Sequence, residues 1–104
     1  MGKPANEIRK VLREGIKLYG GQLRNYVSPG HAGVADVLLL LPGARIIFCE
    51  IKSATDREKP HQRDERVLME NLGFEACVVH GILGAEMLLD RIRLGIRAEG
   101  KINK

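Results

Sequence analysis

The chain has 104 residues, so residues 1–104 are expected to form a single domain. With 44% hydrophobic and 29% charged residues, the composition excludes a disordered chain. The net charge of +4 favours polyanionic partners, and the longest apolar run, residues 37–42, is far too short to cross a membrane. No basic start with an apolar stretch and a small-residue cleavage site opens the chain, so a cytoplasmic, non-secreted protein is expected.

Asn6 can cap a first helix over residues 6–19, and Gly20-Gly21 can stop it. Ile8, Val11, Leu12, Gly15, Leu18 and Tyr19 fall on its inner arc, with Glu7 and Glu14 at the edge. Residues 1–29 carry six basic against two acidic side chains, so the positive excess is concentrated in the first quarter. A short strand over 22–27 and a loop over 28–33 follow. Strands over 34–41 and 45–52 are joined by a three-residue hairpin loop at 42–44, which pairs Leu41 with Arg45. The same register sets Asp36 opposite Glu50, and directly opposed residues share a sheet face. Lys52 shares that face, two residues on. The other positions of both strands are nearly all apolar, which predicts strands covered on both sides.

A charged loop spans 53–60, a helix 61–72 closes at Gly73, and a strand spans 75–80. The passage from 45 to 80 is expected to be a right-handed parallel crossover. A last helix over 85–97 turns Leu88, Ile92, Gly95 and Ile96 inward, and the tail over 98–104 is expected to fray. The predicted class is α/β, a central mixed sheet flanked by helices, in the order α-β-β-β-α-β plus a C-terminal helix. Cys49 and Cys77 lie inside apolar runs without C-x-x-C spacing and read as reduced core residues, not as zinc ligands. Neither a P-loop nor a dinucleotide fingerprint is present, and no organic cofactor is expected.

Asp36, Glu50 and Lys52 interrupt strands that are otherwise apolar. A dry, unpaired carboxylate is costly, so such groups take a partner, a metal or a proton. Two readings remain open from spacing alone. One is a structural ion pair of Lys52 with Glu50 or Asp36. The other is a hard-cation site for Mg2+ or Mn2+ at the two carboxylates, with Lys52 orienting a water or stabilising a developing phosphorane.

Gly33-x-x-Asp36, then Glu50-Ile51-Lys52 fourteen residues on, then Gln62 opening the next helix, resembles the PD-(D/E)XK nuclease superfamily with its restriction-endonuclease-like core. The nearest likeness is to the VRR-NUC domain (virus-type replication-repair nuclease) in its short stand-alone, phage-like form, over residues 7–80. Ala35 stands where that family usually has proline, and the loop at 56–60 is more charged than expected. The resemblance implies metal ligation by Asp36, Glu50 and the Ile51 carbonyl, and a water-positioning role for Lys52. It also implies that Gln62 lines the site and that Glu7 completes it, with Glu14 as the fallback.

An endonuclease that hydrolyses DNA phosphodiesters with Mg2+ or Mn2+ follows as the expected function. So small a chain suggests a homodimer, and stand-alone relatives are associated with resolving four-way (Holliday) junctions in DNA repair. The rival readings are a sequence-specific or flap-processing nuclease, a non-catalytic DNA-binding module, and a subunit active only with a partner. Arg24, Arg57, Lys59 and Arg63 are the candidate phosphate contacts. With four aromatic residues in all, recognition is expected to act mainly on backbone and shape. Tyr26 reads as core packing or as a stacking residue and Tyr19 as core. His31, His61 and His80 read as a loop, a helix-start and a structural residue.

Overall fold

The computed structural model describes residues 3–26 and 35–102. They form α1 (Lys3–Leu18), β1 (Gln22–Asn25), β2 (Val37–Leu41), β3 (Arg45–Lys52), α2 (Pro60–Asn71), β4 (Glu75–His80), α3 (Gly81–Leu94) and β5 (Gly100–Ile102). The five strands lie in sequence order in one sheet. β1, β2 and β3 pair antiparallel, and β4 and β5 add in parallel. The fold is therefore the expected α/β arrangement with a mixed sheet. The hairpin at Pro42–Ala44 pairs Leu41 with Arg45, which fixes every opposition along β2 and β3.

Strand alternation sorts the side chains onto two faces. Val37, Leu39 and Leu41 of β2, Ile47, Cys49 and Ile51 of β3, and Cys77 and Val79 of β4 belong to one buried cluster. It is closed by Ile8, Leu12 and Ile16 from α1 and by Ala85, Leu88 and Ile92 from α3. α1 and α3 touch closely at Gly15, where a Cβ would fall 2.4 Å from Leu89 Cδ1. α2 packs on β4, and Phe48, Glu50 and Ala76 face a cleft beside it.

Several elements differ from expectation. α1 begins at Lys3, and its innermost residues are Ile8, Leu12 and Ile16, spaced four apart, while Leu18 in the last turn is 83% exposed. β1 ends at Asn25 and β2 begins at Val37; the expected loop at 28–33, with His31 and Gly33, lies outside the described residues. α2 runs one residue earlier at both ends, with Pro60 supplying the preset φ of a first helical turn. α3 starts directly after β4 and stops at Gly95, which adopts a left-handed cap (φ 74°). Gly95 and Ile96 are consequently exposed instead of inward.

The tail does not fray over 98–102. Ala98 and Ile102 are fully buried, and Gly100–Ile102 adds a strand beside β4. Burial of Ile102 and new ladder bonds outweigh the entropy of a free end. Coverage of the sheet is also uneven. One face is sealed, but Leu38 and Leu40 are only half-buried on the other and Ile46 is 40% exposed, because α2 is the one helix packed there among the described residues.

Candidate active site

Asp36 sits one residue before β2 and is held from three directions. Its main-chain N–H donates to the Cys49 carbonyl (3.1 Å), and its carbonyl accepts from the Tyr26 N–H (2.9 Å). Its side-chain Oδ2 accepts from the Ile51 N–H (2.8 Å), so the carboxylate is tied to the backbone of β3. Continuing the β2–β3 register by one residue sets Asp36 opposite Glu50, as the hairpin count predicts.

Glu50 is buried, 4% exposed, in a strand flanked by apolar neighbours. Its Oε2 is buried without a hydrogen-bond donor, and Lys52 Nζ stands at ion-pair distance from it (3.5 Å). Burial pushes the Glu50 carboxyl up to about 7. Contact with Glu58 and the negative charge of Asp36 add to that rise, and Lys52 opposes it. Burial would raise the Glu58 carboxyl too, but an Arg66 guanidinium overrides this and holds it below the ordinary carboxylate range. Arg66 forks onto Glu58, with Nε donating to Oε2 (2.9 Å) and Nη2 to Oε1 (3.0 Å). Its Nη1 donates to Glu70 Oε2 (2.9 Å), which also accepts the Gly100 N–H (3.0 Å). A continuous polar chain thus runs from β5 through α2 to the carboxyl group of Glu50.

Gln62 opens α2, where its Oε1 accepts the Lys59 N–H (2.8 Å) and caps the helix. It also lines the cleft between β3 and α2, together with Tyr26, Phe48, Glu50, Arg66 and Met69. The cleft has a volume of about 60 Å³. Asp36, Glu50, Lys52 and Gln62 are therefore gathered in one region, as the sequence predicts. Glu7 and Glu14 are exposed on α1, and among the described residues no hydrogen bond or ion pair joins Glu7 to that region. The acid set against Glu50 is Glu58, from the charged loop. Arg24, Arg57, Lys59 and Arg63 are all exposed, and Arg24 donates to the neighbouring Leu23 carbonyl. His61 is exposed, His80 is buried, and Tyr19 packs half-buried against the core. Cys49 and Cys77 are buried free thiols, paired across β3 and β4.

No protein-family model matches the sequence. The chain is 35% identical over 74 residues to "Putative nuclease p44" of Acyrthosiphon pisum secondary endosymbiont phage 1, which covers 71% of this chain and 80% of that protein. A solved VRR-NUC domain superposes with a TM-score of 0.79 at 26% identity, covering 86% of this chain and 97% of its own. The chain belongs to the VRR-NUC nuclease family. A second solved VRR-NUC domain protein, 18% identical, shares the fold over 99% of this chain and 96% of its own, with a TM-score of 0.65.

Within this VRR-NUC domain the sequence reading missed Glu58 and Arg66. The Arg66–Glu70 pair is legible as an i, i+4 contact on α2. The fork from Arg66 back to Glu58 is not, since it depends on how the loop at 53–59 folds over the start of the helix.

Proposed function

We propose that this VRR-NUC domain is a divalent-metal-dependent DNA endonuclease that hydrolyses phosphodiester bonds in branched DNA as a homodimer. The observation that carries the reading is the buried Glu50 carboxyl. It lies opposite Asp36 and against Glu58, with one oxygen lacking a hydrogen-bond donor. Negative charge concentrated in so dry a place calls for a proton or a cation.

The donor set fits a hard cation such as Mg2+ or Mn2+. Asp36 and Glu50 would hold it through carboxylate oxygens, with the Ile51 carbonyl as a main-chain donor. Among the described residues no three His, Cys, Asp or Glu side chains form a metal cage. That suits magnesium, which is commonly bound by one or two carboxylates and completed by water and substrate phosphate. When bound, such an ion polarises a water and neutralises charge on the phosphate.

The chain's own groups supply the rest. Asp36 is oriented toward β3 by the Ile51 N–H. Lys52 is mostly buried on the face it shares with Glu50, where it presents an ammonium to the attacking water and the developing phosphorane charge. Gln62 offers its amide nitrogen to the same cleft while its oxygen caps α2. Arg24, Arg57, Lys59 and Arg63 would reach DNA phosphates from exposed positions.

Support for the homodimer comes from α3. Leu83, Met87 and Leu94 form an exposed apolar stripe there, with Ile82 and Ile96 beside it. Two copies meeting on α3 would present two sites at a fixed separation, which matches paired nicking of a four-way junction.

The test is cleavage of end-labelled four-way junction, flap, single-strand and linear duplex DNA with magnesium, with manganese and with chelator. Junction-selective, metal-dependent cutting is expected, with a loss of about 10²–10³-fold in Lys52→Ala. Folded wild-type protein that binds DNA and cuts nothing would refute the enzymatic reading. Equal cutting of linear duplex would refute branch selectivity, and sedimentation of an active monomer would refute the dimer.

A further inference from the structure

Hydrolysis of a phosphodiester needs charged and polar groups at the phosphate. It does not need the apolar cleft that opens beside Glu50. Tyr26, Phe48, Met69 and Ala76 make up much of that cleft's wall, and among the described residues its polar lining is Glu50, Gln62, Glu65 and Arg66. The sequence has just two tyrosines, two phenylalanines and no tryptophan. Two of those four rings nevertheless line this cleft, and a third, Phe74, packs against Phe48. Tyr26 and Phe48 meet edge to face with centroids 6.3 Å apart, and Phe48 and Phe74 do the same at 5.6 Å. Tyr26 is half-buried and lines the cleft, and its N–H is bonded to the carbonyl of Asp36. One backbone hydrogen bond therefore joins the aromatic wall to the residue that carries the first carboxylate.

We propose that this cleft receives one unstacked nucleobase adjoining the phosphate to be cut. The proposal rests on the endonuclease reading and names the feature of branched DNA that the site would select. Two observations about this cleft carry it. Its walls are apolar and aromatic, the surfaces on which bases stack without regard to sequence. Gln62 has its oxygen committed to the Lys59 N–H, which leaves the amide nitrogen as a donor to acceptors on a base edge. Drawing a base out of a duplex costs free energy, least where it is already unpaired. Branch points and single-strand junctions offer such bases, and continuous duplex does not. One pocket of this kind gives structure selectivity to a protein with too few aromatic residues for an extended stacking platform.

The test uses flap and four-way junction DNA in which a single abasic site is walked through the nucleotides flanking the branch. Binding is followed by fluorescence anisotropy in chelator and cleavage with magnesium, for wild type, Tyr26→Ala and Met69→Trp. One abasic position should weaken wild-type binding about tenfold and lower kcat/KM by a similar factor. Both variants should weaken intact DNA about tenfold and lose their sensitivity to that position. If Met69→Trp fails to fold, Tyr26→Ala decides the matter. Wild-type binding indifferent to every abasic position overturns the proposal, as do variants that weaken intact and abasic DNA equally. Position-sensitive binding without any cleavage would overturn the hydrolytic reading and leave the base pocket standing. Cleavage without position sensitivity would do the reverse.

Discussion

Replacing Glu50 with Gln is expected to stabilise the metal-free protein at neutral and alkaline pH while removing its activity. Burial, the contact with Glu58 and the charge of Asp36 push the Glu50 carboxyl from its ordinary value of 4.5 to about 7. A carboxyl raised in this way favours the fold fully below its ordinary value. That contribution is then lost as pH climbs through about 7. At ~1.4 kcal/mol per pH unit, the ionised side chain costs about 3 kcal/mol at pH 8 and ~1 kcal/mol at pH 5. Because Glu58 and Lys52 share the titration, about 2–3 kcal/mol is the expected gain of Glu50→Gln at pH 8. Gln keeps the volume and can donate to the Glu58 carboxylate.

Urea unfolding of both proteins in chelator, from pH 5 to pH 8, measures the gap directly. The gap should widen with pH, and excess magnesium should narrow it by stabilising only the wild type. A variant no more stable than wild type at pH 8, or a gap that does not change with pH, would refute the reasoning.

Cleavage at subsaturating magnesium should rise with pH through about 7 as the proton leaves Glu50, and saturating magnesium should move that midpoint lower; a flat pH–rate profile would contradict this. Arg66→Ala leaves Glu58 and Glu70 without their shared guanidinium, and a loss of about 3–5 kcal/mol is expected by urea unfolding at pH 7. Gly21→Ala would place a Cβ 2.4 Å from the Leu40 carbonyl oxygen, for an expected cost of about 3 kcal/mol in the same assay. Burial would raise the Glu75 carboxyl, but the Arg45 fork and the Ala98 N–H hold it below its ordinary value. Its contribution is therefore present above that value and lost as pH falls. Glu75→Gln should cost about 1–2 kcal/mol at pH 7 and progressively less as pH falls below the ordinary carboxylate range, read from unfolding curves across acid pH.

Much of the fold was legible in local pattern. The ranges of β3 and β4 follow from apolar runs, interrupted in β3 by Glu50, that are bounded by charged and turn residues. The β2–β3 register follows from a three-residue loop, which leaves only one pairing that keeps the apolar sets together. Where local signals compete, the boundaries moved. Gly81 and Gly84 weaken the helical signal over 81–85, yet α3 begins at Gly81 because it must turn back onto the core at once. Ile96 continues the helical period in sequence, but Gly95 ends the helix, so the period has no structure to act on.

The sequence by itself determined that Asp36, Glu50 and Lys52 share one sheet face, because strand alternation and a short hairpin are local geometry. It also marked these three as out of place, because charge inside apolar strands is costly whatever the partner. Only the tertiary structure decided which groups surround them. Glu58 meets Glu50 because Arg66, eight residues on, draws the loop back over the start of α2. Residues 98–102 are ordered because β4 offers an open edge and Ile102 fits the core. The aromatic cleft exists because α2 packs on β4 and leaves a gap above Phe48. Each of these outcomes depends on contacts between segments distant in the chain. Their free energy exists only once the sheet has formed, so no local pattern in the sequence carries it.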